Sequence, residues 1–417
     1  MATRRVVITG VGLVTPVGLD PESTWAALLD GESGAGPITL FDASEYQVRF
    51  ACEVKGFDPE AHMERKEARR ADRFLQLAMA TAGQAMTQAG LADDWGGTDP
   101  SRAGVIIGSG IGGLPLLEQQ HKKLLERGPS RVSPFFIPMF IADMSAGMVS
   151  MRYGARGPNY ATVSACASSA HAIGLAFRSV RHGEADVMIS GGTESTITPL
   201  CVAGFASMKA MSGRNEDPTT ASRPFCATRD GFVLGEGSGM LILEELEHAT
   251  ARGAAILGEV VGFGQSADAY HLTAPAPDGA GARSAMQYAL DDAGLEPTEI
   301  QYINAHGTST PANDSSETAA IKSVFGDHAA ELVVGSTKSM TGHTLGAAGA
   351  IEGAISTLVC QRGTIPPTIN FHEADPGCDL EYAHGGPMKR PVKTALTNSF
   401  GFGGHNVCLA VTRWDGE

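Results

Sequence analysis

One internal echo constrains this chain more than any other feature of its sequence. Residues 160–192, YATVSACASSAHAIGLAFRSVRHGEADVMISGG, read as strand, turn, small-residue helix and strand, and residues 332–363, LVVGSTKSMTGHTLGAAGAIEGAISTLVCQRG, begin in the same way. Each turn carries one reactive side chain, Cys166 in the first and His343 in the second. Around the echo, short β-branched runs (RVVITGVG, AGVIIGSG, ADVMISGG, LVVGST) alternate with helical stretches over 71–90, 167–182 and 281–293. The alternation predicts an α/β fold with mixed sheets, and the echo predicts two repeated halves. The charged, Ala-rich segment EELEHATARGAA supplies the joint, giving halves of 1–251 and 252–417.

At 417 residues the chain exceeds what one hydrophobic core usually organises, which agrees with a duplication. Apolar residues make up 43% of it and charged residues 18%, a balance that suits a compact enzyme rather than a disordered or fibrous chain. Lys and Arg number 31 against 46 Asp and Glu, so the net charge is −15 and the surface repels nucleic-acid phosphates and anionic lipid. Neither nucleic acid nor a membrane is expected as a partner. No run reaches the ~18 apolar residues of a membrane span, and the glycine-broken MATRRVVITGVG does not read as a signal peptide. The seven cysteines are odd in number, widely spaced and free of any C-x-x-C pair, which argues against a disulfide framework or a zinc site and for a reducing cytoplasm.

Among those cysteines only Cys166 has a setting for chemistry. It follows β-like YATVS and opens a helix that ends in Arg178 and Arg181, so its thiol lies at the positive helix end, where the thiolate is favoured. Its small neighbours Ala165, Ala167, Ser168 and Ser169 leave room for a bulky thioester. Two histidines lie in matching surroundings, His306 in NAHGTSTPANDSSE and His343 in STKSMTGHTLGAAGA, each after strand-like sequence and beside glycine. Thr308 and Thr310 add hydroxyls at alternate positions, Lys338 precedes His343 by five residues, and DSSE (Asp314 to Glu317) reads as a helix cap with its reciprocal carboxylate. The glycine-rich NSFGFGGHN lacks a P-loop lysine and reads as a turn whose N–H groups face a developing oxyanion while Phe402 covers the site.

Seven segments in order, VVITGVGLVTPVG, GSGIGGL, SACASSAHAIG, SRPF..TRDGFVLGEGSG, NAHGTSTP, KSMTGHTLGAAGA and NSFGFGGHN, closely resemble the β-ketoacyl-acyl carrier protein synthases, in particular the elongating enzymes of type II fatty acid synthesis. The resemblance covers essentially the whole chain. It implies a thiolase-like fold of five αβαβα layers built from two pseudo-repeated halves, assembled as a homodimer. It further implies decarboxylative condensation of malonyl-carrier protein with a Cys-bound acyl chain. Cys166 would be the nucleophile, His306 and His343 the condensing pair, and Lys338 their support. The N–H groups of Cys166 and Phe402 would form the oxyanion hole. Thr308 and Thr310 would bind the carrier's phosphopantetheine arm, and Ile111 and Phe205 the acyl chain. No cofactor is implied, and the substrates ride on acyl carrier protein.

Thiolases resemble Cys-His-Cys and chain-initiating synthases Cys-His-Asn; the histidine of GHTLG sets this chain apart from both. A type II polyketide ketosynthase would share its residues, whereas a chain-length-factor subunit would lack the cysteine. An acidic carrier needs a basic patch on this acidic protein. In ERKEARRADRF, Lys66, Arg69, Arg70 and Arg73 recur at helical spacing as one face, and the resemblance puts Lys66, Arg69 and Arg70 at the docking surface with Lys209. The family's aspartate after SRPF is Cys226 here, and the resemblance implies a structural monovalent cation near Asn304, Glu352 and Asn398.

Overall fold

The computed structural model describes residues 3–92 and 94–416. The first half of the chain supplies strands β1 (Val6–Val14), β2 (Ala103–Gly108), β3 (Asn159–Thr162), β4 (Val187–Glu194) and β5 (Gly237–Glu245). The second supplies β6 (Gly258–Ala267), β7 (Tyr302–Asn304), β8 (Val333–Gly335), β9 (Thr394–Gly401) and β10 (His405–Thr412). Their order in the sheet is β8-β7-β9-β10-β6-β1-β5-β4-β2-β3. Outward from the central β6–β1 contact the two wings have one topology, β1-β5-β4-β2-β3 and β6-β10-β9-β7-β8. The inner strands of each wing pair antiparallel and the outer ones parallel. Three antiparallel pairs, Val6–Val260, Val7–Glu259 and Ile8–Gly258, join the wings.

Helices complete the layers: α1 (Arg73–Ala89), α2 (Ser168–Arg181), α3 (Ala280–Ala293), α4 (Pro311–Phe325) and α5 (Ala348–Arg362). Helices α2 and α5 pack on each other and on strands of both wings, so they form the middle layer; α1 covers the outer face of the first wing and α3 that of the second, with α4 beside it. This is the expected five-layered αβαβα arrangement. The middle layer explains the small-residue helices, because α5 is buried on every side from Ala348 to Cys360. The glycines of VVITGVG have a similar origin: a Cβ on Gly10 would sit 2.1 Å from the Ala85 carbonyl oxygen, and one on Gly12 2.0 Å from that of Thr81, so α1 lies directly on β1.

Three local expectations are corrected. The basic stretch is not one helical face, because a short helix ends at Ala68 and extended Asp72 caps α1 anew. Lys66, Arg69 and Arg70 stay exposed, while Arg73 turns inward to Glu236 at 2.8 Å. DSSE does not cap a helix either, since Pro311 starts α4 earlier and carries Asp314 and Glu317 into the interior. The echo also needs a shift. Ala165 and Leu345 both take φ of 49° and open matching single turns into α2 and α5, so the counterpart of Cys166 is Gly346, with His343 three residues upstream.

Candidate active site

Cys166 lies in the turn between β3 and α2, which the Ser168 hydroxyl holds by accepting from Ser164 N (2.9 Å) and donating to the Ala165 carbonyl (2.7 Å). A cleft of about 590 Å³ opens over it and brings together Cys166, His306, His343, Thr308 and Thr310. Ile111, Phe205, Phe402 and Lys209 also line this cleft, and the Phe205 and Phe402 rings stand 6.3 Å apart. His343 Nε2 is 3.0 Å from Cys166 Sγ, and the His306 and His343 rings meet edge-on at 5.3 Å. The sulfur and one nitrogen of each ring all lie within 4.8 Å of one another. The Phe402 N–H hydrogen-bonds the Cys166 sulfur from the tight β9–β10 turn.

Burial decides the protonation states. It pushes the Cys166 thiol up to about 12, although the Lys338 charge and the Phe402 N–H pull the other way. The expected resting thiolate is therefore corrected: desolvation outweighs the helix end, and the group rests as a thiol. Burial, with Lys338 nearby, holds both histidines well below the usual imidazole range, so both rings are neutral. Nδ1 of each ring is buried without a partner among the described residues. An N–H with no acceptor is the costlier choice there, which leaves the ring proton on Nε2. Lys338 itself is buried behind the site and pairs with Glu352 at 2.5 Å.

Glu194 escaped the sequence reading, and Glu317 was read there only as a helix-capping carboxylate. Glu317 accepts from the backbone N–H groups of His306 and Gly307, each at 2.8 Å, and from Asn398 Nδ2 at 3.0 Å, tying the His306 turn to α4 and β9. Glu194, the last residue of β4, accepts from Ser109, Gly110, Ile111 and Gly346. The available signal for Glu194 was a lone acid closing the uncharged run VMISGGTE.

Thr308 and Thr310 share a hydroxyl hydrogen bond of 3.0 Å. Lys66, Arg69, Arg70 and Lys209 are exposed, and the Arg70 guanidinium lies 4.3 Å over the Phe135 ring. At Cys226 burial favours the thiol, but the Thr228 hydroxyl and the N–H groups of Thr228, His372 and Glu373 outweigh it and lower the pKa; this donor set would also suit a carboxylate. All seven cysteines are free. Asn304 Oδ1, Asn398 Oδ1 and Glu352 Oε2 are buried oxygens without hydrogen-bond partners among the described residues. Among the described residues no helix is long and apolar enough to cross a membrane.

Residues 3–249 match the family described as Beta-ketoacyl synthase, N-terminal domain, and residues 257–372 match Beta-ketoacyl synthase, C-terminal domain. The chain belongs to the β-ketoacyl synthases. Its reaction is a ketoacyl condensation. This synthase is 54% identical to the 3-oxoacyl-[acyl-carrier-protein] synthase 2 of Synechocystis sp., over 99% of its own length and 98% of that protein's. A Beta-ketoacyl synthase structure from Burkholderia phymatum matches at TM-score 0.91 and 36% identity, covering 99% of this synthase and 100% of that chain. A chain from the complex of a type II polyketide acyl-carrier protein with its ketosynthase bound to the hexaketide matches at TM-score 0.90 and 34% identity, with the same coverage.

Proposed function

We propose that the protein is an elongating 3-oxoacyl-[acyl-carrier-protein] synthase in which Cys166 carries the acyl chain while His306 and His343 act on the malonyl extender. The convergence of one sulfur and two neutral imidazoles within 4.8 Å carries this reading. In the first half-reaction the Cys166 sulfur bonds to the acyl carbon of a carrier-borne thioester. The pantetheine sulfur leaves and takes up the thiol's proton. Lys338 and the Phe402 N–H favour the anion that forms on the way.

In the second half-reaction the bond to the malonyl carboxylate breaks, CO₂ departs, and its electron pair passes into the thioester as an enolate. Two Nε2–H donors stabilise the enolate oxygen. The carbanion then attacks the acyl carbon, and the N–H groups of Cys166 and Phe402 hold the tetrahedral oxyanion. Cys166 leaves as thiolate and regains a proton, and the carrier departs with a 3-oxoacyl chain two carbons longer. Thr308 and Thr310 receive the phosphopantetheine arm, and no cofactor takes part.

Acyl carrier protein is the partner, docked on Lys66, Arg69 and Arg70 with Lys209 at the cleft, and the reaction belongs in the cytoplasm. Full-length identity of 54% to a 3-oxoacyl-[acyl-carrier-protein] synthase 2, against 34% to the polyketide ketosynthase complex, favours fatty acid over polyketide work. A homodimer would cover the open edge strand β3, where Tyr160 is exposed, with exposed Val163 just after it and exposed Met151 on the helix packed against it. The unpartnered oxygens of Asn304, Asn398 and Glu352 fit a monovalent cation, which would neutralise buried oxygen charge behind the site. The deciding experiment is mass spectrometry of products from purified enzyme, malonyl carrier and acyl carriers of graded length. Products two carbons longer support the reading, and unextended carriers refute it.

A further inference from the structure

Two strands occupy equivalent places in the two wings, β4 and β9, each eight residues long, and they end differently, in Glu194 and Gly401. At Gly401 a Cβ would lie 3.1 Å from the Cys166 nitrogen, so the missing side chain leaves that N–H open to a substrate oxygen. At the matching place in the other wing a carboxylate fills the space. Glu194 Oε2 accepts from Gly346 N (3.0 Å), the counterpart of Cys166 N, and from Gly110 N (2.7 Å), while Oε1 accepts from Ile111 N (3.2 Å) and Ser109 Oγ (3.1 Å).

We propose that Glu194 is a positioning residue whose carboxylate, lodged where the other wing receives an oxyanion, bolts the Ser109–Ile111 loop to the His343–Gly346 turn and so sets the width of the acyl channel beside Cys166. Gly110, Ile111 and Leu345 line the cleft, so the two bolted segments form adjoining parts of its wall. Glu194 is wholly buried, and among the described residues no Lys or Arg forms an ion pair with it, so its anion depends on the four donors it binds. The carboxylate stays close to its balance point: burial raises its pKa to about 7, against the pull of those donors. A glutamine of the same shape would turn an amide N–H toward backbone N–H groups and spread the wall.

The proposal rests on Cys166 being the acylated residue, and the test separates the two. Acylation of Cys166 by butyryl to palmitoyl carriers is followed by intact mass for wild type, Glu194→Gln and Ser109→Ala, with thermal melts and the KM for malonyl carrier. Glu194→Gln is expected to change the ratio of long-chain to short-chain acylation rates about tenfold, because each carboxylate oxygen accepts from two donors and the one replaced by an amide nitrogen no longer does, with the malonyl KM unmoved. Ser109→Ala, which removes one of the four donors to Glu194 together with the acceptor of Gly112 N, should shift the ratio the same way by less. An equal loss at every chain length, or an unchanged profile, overturns the proposal. If Glu194→Gln does not fold, a wild-type profile for Ser109→Ala overturns it. A wild type that takes no adduct on Cys166 overturns both this proposal and the reading beneath it.

Discussion

Nε2 of His343 lies 3.0 Å from Sγ of Cys166, a contact that bridges 177 positions of sequence and the two halves of the fold. The proposed nucleophile and the proposed enolate donors are thus neighbours but separate groups. Cys166→Ala should abolish the acyl adduct seen by intact mass while malonyl-carrier decarboxylation continues, because both imidazoles keep their places. An adduct on the variant would move the nucleophile elsewhere.

Acid should destabilise the protein through its two neutral histidines. Their folded pKa values lie well below the unfolded value of about 6.5, so the unfolded state binds more protons between those limits. Stability from this source is complete above about pH 6.5 and falls below it, by up to about 1.4 kcal/mol per pH unit for each histidine. Urea unfolding at two pH values, compared between wild type and the His306→Ala/His343→Ala double variant, isolates the effect. The variant should lose less stability on acidification.

Lys338 and Glu352 form an ion pair with side chains 1% and 3% exposed. Lys338→Ala would strand a buried carboxylate near the His306 and His343 rings, at a cost of about 3–5 kcal/mol. Lys338→Ala/Glu352→Ala should recover part of that loss, and denaturant melts of the three proteins measure it. Equal stability of the two variants would show that the stranded charge is not the cause.

Charge reversal at Lys66 and Arg70 should raise the KM for carrier-borne substrate and flatten its salt dependence, leaving a small pantetheine thioester unaffected. Arg73→Glu serves as the contrast. Facing Glu236, it should lower the melting temperature and harm both substrates alike.

Ile111 lines the cleft and keeps 38% of its surface exposed. Ile111→Phe should obstruct acyl groups beyond about six to eight carbons at the ~1–3 kcal/mol of overpacking, or about ten- to hundredfold in rate. The measurement is kcat/KM across even-numbered acyl carriers, with short primers spared. A uniform drop would remove Ile111 from the channel.

Much of this molecule was legible without coordinates, because the relevant signals are local. The run VVITG makes a strand, the small residues after Cys166 make a helix that can be buried over most of its surface, and Cys166, His306 and His343 each sit in a turn whose glycines or small neighbours announce it. What could not be read was the company those residues keep. Arg73 faces Glu236, Glu317 reaches back to the His306 turn, and Glu194 joins loops from both wings, each through partners distant in sequence or on another element. The resting state of the nucleophile belongs to the same class: a helix end argues for thiolate, but only the packed structure removes the water that a thiolate needs. Sequence alone therefore determined the elements, the duplication and the reactive side chains, since periodicity and turn chemistry act over a few neighbouring residues. Tertiary structure alone decided which groups are charged, which carboxylates serve as clamps and which basic residues face solvent, since burial and hydrogen-bond partners are set by chain segments that meet only after folding.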